Sequence, residues 1–223
     1  MANIWSRCEL CSQETLKIIP VIRHNFQQKI WIDSYYLQLQ ATEDARRSVE
    51  HVFFFEHKNV ITLGTSSTKS DIPNTANIRR KNISVFKTNR GGEATWHGAG
   101  QLVFYPVLNI KKRRIKATEL VKIVLQATQD ALLKKQIETS INLKKPGLYI
   151  QNKKIVSFGM TIQKGITMHG VSVNVNNNNE GFAEIKPCGM PPNTVSSIKA
   201  ETGSNESIES IAQEVKLHLK KIL

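Results

Sequence analysis

The sequence predicts an α+β fold, with mixed and antiparallel sheets flanked by helices. Two observations lead there. Apolar runs of strand length follow one another in consecutive blocks, and they outnumber the stretches that carry helical periodicity. A doubly wound α/β chain would instead alternate strand with helix throughout.

In chain order, residues 16–22 (LKIIPVI) read as the first strand, and Ser34 to about Val49 as the first helix. Residues 52–55 (VFFF), 59–64 (NVITLG) and 83–88 (ISVFKT) follow as strands, then the long apolar run 101–110 (QLVFYPVLNI). Thr118 to about Ile137 reads as a helix, because Leu120, Ile123, Val124, Ala127 and Ala131 fall on one face. Residues 147–151 (GLYIQ) and 155–162 (IVSFGMTI) are strand-like, and the polar QNKK at 151–154 reads as the hairpin turn between them, with Lys154 opening the returning strand. Residues 169–175 (HGVSVNV) form another strand, leading into a polar loop, NVNNNNEG, at 174–181. The clearest helix is Ser207 to Leu223, in which Ile208, Ile211, Ala212, Val215, Leu219 and Ile222 make one apolar stripe. Ser207 suits its N-cap and Glu209 its first turn. Residues 1–15 read as a peripheral N-terminal segment and 16–223 as a single domain.

Composition narrows the functional classes. The chain has 223 residues and a formal net charge of +13, from 31 Lys and Arg against 18 Asp and Glu. The basic residues are dispersed, as at 111–116, 133–135, 143–145 and 153–154. Two readings stay open: a lysine-rich solvated surface, or a field that steers an acidic partner. No aromatic-basic signature of a nucleic-acid module is present, so no nucleic-acid partner is expected. No apolar run reaches the length of a membrane span and the N-terminus lacks the order of a signal peptide. With three cysteines, a soluble cytoplasmic protein is expected, with no membrane partner. Cys8 and Cys11 have zinc-like spacing, but no second ligand pair follows and no metal site is expected. A phosphate-binding G-x-x-x-x-G-K-[ST] loop and a hydrolase G-x-S-x-G are both absent.

Three segments carry chemistry. RGGEATWHGAGQ, Arg90 to Gln101, sets four glycines among Arg90, His97 and Gln101. Glycine lets a ligand approach the main chain, and the polar residues supply contacts; the bland reading is a glycine-rich hairpin. KIVSFGM, Lys154 to Met160, puts a lysine at the head of an apolar strand that Gly159 interrupts, and glycine inside a strand marks a bulge or a close approach. MHGVS at 168–172 adds His169, which reads equally as a hydrogen-bonded structural residue or a site residue. EIKPCGMPP, Glu184 to Pro192, holds Cys188 between proline and glycine. A lone cysteine is an inert filler or a nucleophile, and a nearby cation such as Lys154 would raise its thiolate fraction.

Together these segments resemble the lipoyl(octanoyl) transferase family, whose pattern runs approximately R-G-G-x-x-T-Y-H-G-P-G-Q, K-I-A-x-I-G, H-G-x-A-L-N and I-x-P-C-G. The counterparts here are RGGEATWHGAGQ, KIVSFG, HGVSVN and IKPCG, in that order. FEHKNVITLG (55–64) and VSSI (195–198) match two further family segments, so the resemblance spans about residues 16 to 222. It implies a catalytic module similar to that of biotin protein ligases and lipoate-protein ligases. It also implies an acyltransferase that moves an octanoyl or lipoyl group from acyl carrier protein to a lysine of a lipoyl domain, through a cysteine thioester. The acceptors implied are the lipoyl domains of 2-oxoacid dehydrogenase E2 subunits and the glycine cleavage H protein. No separate cofactor is implied, because the donor is carried on the phosphopantetheine of acyl carrier protein. By motif position, Cys188 resembles the acyl-accepting cysteine and Lys154 the lysine that lowers its pKa. Arg90, Gly91, Gly92, Glu93, Ala94, Thr95, Trp96 and His97 resemble substrate contacts. So do Ser157, Phe158, Gly159, Gly170, Val171 and Ser172. Trp96 stands where the family has tyrosine and Ala99 where it has proline, which bears on chain-length preference. The rival readings are an ATP-dependent lipoate-protein ligase and a non-catalytic basic binding module of the same fold.

Overall fold

A computed structural model describes residues 20–73, 75–187 and 191–223. Its elements are β1 (Val21–Lys29), α1 (Trp31–Arg46), β2 (His51–His57), β3 (Val60–Leu63), α2 (Thr75–Arg80), β4 (Ser84–Lys87), β5 (Ala94–His97), β6 (Gln101–Val107), α3 (Ala117–Lys134), β7 (Ser140–Asn142), β8 (Gly147–Ile150), β9 (Lys153–Gln163), β10 (Ile166–Asn174), α4 (Ile198–Thr202) and α5 (Ile208–Ile222).

Seven strands form the main sheet in the order β1-β2-β6-β10-β9-β8-β7, and β4-β3-β5 form a second, smaller one. Both sheets are mixed: β1 runs parallel to β2 and β3 to β4, while the other pairings are antiparallel. Alternation along the central strands explains the layering. Val52 and Phe54 of β2, with Leu102 and Phe104 of β6, pack into a core shared with α3 and α5. Their neighbours Phe53, Phe55, Val103 and Tyr105 pack on the opposite face with Ala41 and Ala45 of α1. Apolar residues on both faces make these strands near-continuous hydrophobic runs, as a sheet covered on two sides requires. The small sheet has its own core, built from Ile61, Ala94, Trp96, Ile78 of α2 and Phe182.

The sequence reading and the structure part in four instructive places. The first strand begins at Val21 and runs to Lys29, and residues 16–19 of the expected run lie outside the described residues. The first helix begins at Trp31 rather than Ser34; Ser34 does not cap it but donates its hydroxyl to the Trp31 carbonyl at 2.6 Å, within the first turn. Residues 94–97, read as part of a loop, form the fully buried β5. The short α2, α4 and β7 are too brief to show a period of their own. The last helix is capped as expected, with the Ser207 hydroxyl accepting from the Ser210 amide at 3.1 Å.

One member of the basic run at 111–116 is not part of the solvated surface. Arg113 donates to Oε2 of the fully buried Glu50 carboxylate at 2.8 Å from Nε and 2.5 Å from Nη2, while the Asn109 backbone amide donates to Oε1 at 2.7 Å. Removing one partner of such a pair strands the other charge in the interior.

Candidate active site

A cleft opens where the glycine-rich segment crosses β9 and β10. Arg90, itself buried, clamps that segment to β3. Its Nη2 donates to the Thr62 and Glu93 carbonyls at 2.6 Å each, its Nε to the Thr62 hydroxyl at 3.0 Å and its Nη1 to the Gly91 carbonyl at 3.0 Å. The Gly91 amide then donates to the Met160 carbonyl on β9 at 3.1 Å. Gly92 has φ +85°, a backbone that favours glycine. The loop is thus held by its own arginine against one sheet and by its backbone against the other.

The cleft is narrow, with a cavity volume of about 50 Å³. Arg90, Gly91, Gly92, Glu93, Thr95 and His97 line one wall. Ser157, Phe158 and Gly159 of β9, with Gly170, Val171 and Ser172 of β10, line the other. Trp31, Thr62, Val103, Tyr105 and His169 complete it. An apolar interior with a few fixed polar groups suits a small apolar ligand with one polar end.

Backbone geometry sharpens the second wall. His169 sits in β10 with φ +61°, and Gln38 of α1 accepts its amide proton at 2.7 Å on Oε1. The adjacent Gly170 lies so close to β6 that an added Cβ would be 2.0 Å from the Phe104 carbonyl oxygen. On β9, Leu148 pairs with Val156 but Tyr149 with Lys154, which leaves Ile155 as a bulged residue. Bulges of this kind re-aim side chains. Ile155 and Val156 both enter the α3/α5 core, so alternation puts Lys154 on the same side of β9 as Ser157.

The imidazoles around the cleft are held neutral. Burial lowers His97 to about 3, with His57, Arg90 and His169 adding to the effect and the bond to Gln101 opposing it. Burial likewise lowers His57 to about 4, and burial followed by the Arg90 charge lowers His169 to about 4. The His97 tautomer follows from its partners. Gln101 Nε2 donates to the Trp96 carbonyl at 3.2 Å and to Asn174 Oδ1 at 2.8 Å, so Gln101 Oε1 accepts from His97 Nδ1 at 2.7 Å. That leaves His97 Nε2 as an acceptor. The chain continues: Asn174 Nδ2 donates to the Ser196 carbonyl at 2.8 Å, and the Ser196 amide to the Lys154 carbonyl at 3.1 Å.

The profile of the lipoyl protein ligase A/B catalytic domain matches residues 31–220. The chain belongs to this family. An octanoyltransferase of Shewanella baltica is 34% identical over 191 residues, covering 85% of each chain. One from Buchnera aphidicola of Acyrthosiphon pisum is 35% identical over 162 residues, covering 73% of this chain and 74% of its own. With these relatives, the protein is an acyltransferase. Among solved structures, a bipartite lipoate protein ligase from Thermoplasma acidophilum aligns with TM-score 0.69 at 14% identity, over 91% of this chain and 82% of that one. Lipoate-protein ligase A bound with ATP aligns with TM-score 0.68 at 14% identity, over 90% and 85%. At that identity the likeness shows the α+β fold of the family's catalytic module.

Against this family frame, the cleft brings together most of the residues expected to contact substrate. Two of them stand elsewhere. β5 alternates, so Thr95 and His97 face the cleft while Ala94 and Trp96 turn into the core of the small sheet. Trp96 meets Phe182 edge-on at 5.3 Å and, with Ala99, lines a different hollow beside Asn177 and Gly181. Trp96 and Ala99, the two departures from the family pattern, thus lie outside this cleft. Arg90, expected as a substrate contact, makes these four hydrogen bonds to protein oxygens. Lys154 is 3% exposed, is the second residue of β9 rather than the first, and lies 5.7 Å from the centroid of the Tyr149 ring. Cys188 lies outside the described residues, as do Cys8 and Cys11. Trp31, Gln38, Thr62, Val103 and Tyr105 carry no glycine or reactive group to mark them, and sequence reasoning missed them. Their signal is burial on the two-sided core strands and on α1.

Proposed function

We propose that the protein transfers an octanoyl group from the phosphopantetheine thioester of acyl carrier protein to a lysine of a lipoyl domain, through a thioester on Cys188. The observation that carries this reading is the placement of Lys154. It is a buried lysine on the cleft side of a bulged strand, and its backbone pairs with Val195 just after the Cys188 segment. The octanoyltransferase activity named for the curated relatives supports the choice of acyl group, and the pairing of a lipoate ligase of this fold with an E2 lipoyl domain supports the class of acceptor.

The steps balance without a further reactant. The Cys188 thiol gives its proton to Lys154, and the thiolate attacks the donor carbonyl. The tetrahedral adduct expels pantetheine thiolate, which takes the proton back from Lys154 as a thiol. The acceptor lysine, as a free amine, then attacks the Cys188 thioester. Lys154 receives a proton from that nitrogen and returns it to the Cys188 sulfur as the amide forms. A thioester is already activated, so no nucleotide is consumed. The octanoyl tail lies along Val103 and Tyr105 of β6, and the glycine-rich wall lets the reacting carbonyl approach the main chain. Lipoyl domains of 2-oxoacid dehydrogenase E2 subunits and the glycine cleavage H protein are the acceptors, and the enzyme works in the cytoplasm.

The test is incubation with octanoyl-acyl carrier protein in the absence of ATP, followed by intact mass. An octanoyl adduct is expected on the wild type and not on Cys188→Ala, and chasing with a lipoyl domain should discharge it. Transfer that needs ATP and free acid, and that survives Cys188→Ala, would instead make the protein a ligase.

A further inference from the structure

Trp31, the first residue of α1, stands between two hollows. On one side it lines the cleft. On the other it lines a surface groove with Ile30, Val60, Phe86 and Lys58. Among the described residues it is the one that lines both. The indole is 4% exposed, yet it belongs to none of the three apolar cores. It is held instead by aromatic neighbours: the Phe86 ring at 5.1 Å, the Tyr35 ring at 5.4 Å, and the His169 imidazole at 6.4 Å with only 4° between planes. The Ser34 hydroxyl fixes its backbone. A large, flat, tightly stacked side chain shared by two hollows acts as a partition.

We propose that Trp31 sets the upper limit on acyl-chain length, closing the cleft at the end of an octanoyl-sized tail. This rests on the reading of the cleft as the acyl site. A longer tail would run into the indole, which cannot swing aside without breaking its stacks on Phe86, Tyr35 and His169. With the indole removed, the cleft joins the groove, and the extra methylenes lie along Ile30, Val60 and Phe86. Each methylene buried there contributes about fourfold to binding, so four extra carbons span more than two orders of magnitude. The role of chain-length gauge thereby passes to Trp31 from Trp96, which faces the other way.

The test compares kcat/KM for octanoyl-, dodecanoyl- and hexadecanoyl-acyl carrier protein. The wild type should fall at least about 100-fold from octanoyl to dodecanoyl. Trp31→Ala should raise the dodecanoyl/octanoyl ratio at least about tenfold, with Trp31→Phe in between. Trp31→Leu carries the same test should Trp31→Ala not fold. Adding Ile30→Asp, at a position 49% exposed, should place a carboxylate in the groove and cancel the gain for dodecanoyl. An unchanged chain-length ratio in every Trp31 variant overturns the proposal. A wild type that forms no acyl adduct from any of the three donors fails the acyl-site reading itself, which is a separate result.

Discussion

Lys154 is the residue on which the proposed chemistry turns, and its surroundings make the role demanding. The side chain is enclosed: a Cβ added at Gly147 would fall 2.6 Å from Lys154 Cε. A lysine in such a place is held to one path, and its amine can exchange a proton where a guanidinium cannot. Lys154→Arg keeps the charge and removes the exchange, so acylation from octanoyl-acyl carrier protein should fall by about 10²–10⁴-fold, the range of a lost general acid–base group. The measurement is single-turnover appearance of the acyl adduct, with circular dichroism to confirm the fold. Transfer at an undiminished rate would remove Lys154 from the mechanism and leave Cys188 to find its base elsewhere.

At the scale of elements, β5, β6, β10 and β9 are tied by one buried chain that runs His97, Gln101, Asn174, Ser196 and Lys154. Gln101 and Asn174 are fully or nearly fully buried, so deleting either leaves partners without water to replace it. Gln101→Leu and Asn174→Leu should each cost about 2–4 kcal/mol of unfolding free energy, from two or more stranded groups at about 1–3 kcal/mol apiece. Because they share one bond, the double variant should cost less than the sum by at least about 0.5 kcal/mol. Urea melts of the four proteins in the cycle check this, and strict additivity would show that the two amides act separately. Sequence patterning marked Gln101 as polar and near glycines, but the chain itself joins residues distant in sequence, which no local period encodes. The same limit explains β5. Ala94 to His97 is too short for its alternation to stand out, and with both faces buried it lacks an exposed polar side. The long strands, by contrast, were legible as uninterrupted apolar runs, and α5 by an apolar stripe repeated over four turns. The bulge at Ile155 was half legible: Gly159 flagged an irregular strand, while the register shift depends on where β8 pairs.

The whole molecule places two neutral imidazoles, His97 and His169, in the wall of the cleft beside the Arg90 guanidinium, and a third, His57, behind them against Tyr105 and His97. His57 is locked at both nitrogens, with Nδ1 donating to the Lys29 carbonyl at 3.2 Å and Nε2 accepting from the Tyr105 hydroxyl at 2.9 Å. This arrangement has a cost that appears as pH falls. In the unfolded chain these histidines take up protons near pH 6.5, whereas in the folded protein they do so only near 4, 3 and 4. Between those values the unfolded state binds more protons, so stability must drop as pH is lowered. The drop starts at about pH 6.5 and ends near pH 3–4, where the folded imidazoles protonate too. Each histidine contributes up to about 1.4 kcal/mol per pH unit, so the three together approach about 4 kcal/mol per unit below pH 6. The window from pH 6.5 to 5 lies above the ordinary carboxylate range and isolates the effect. Urea melts across it should show a steep fall, and His57→Gln should lessen the slope by about one proton. A stability that stays flat from pH 7 to 5 would mean that these imidazoles are not held neutral by the fold.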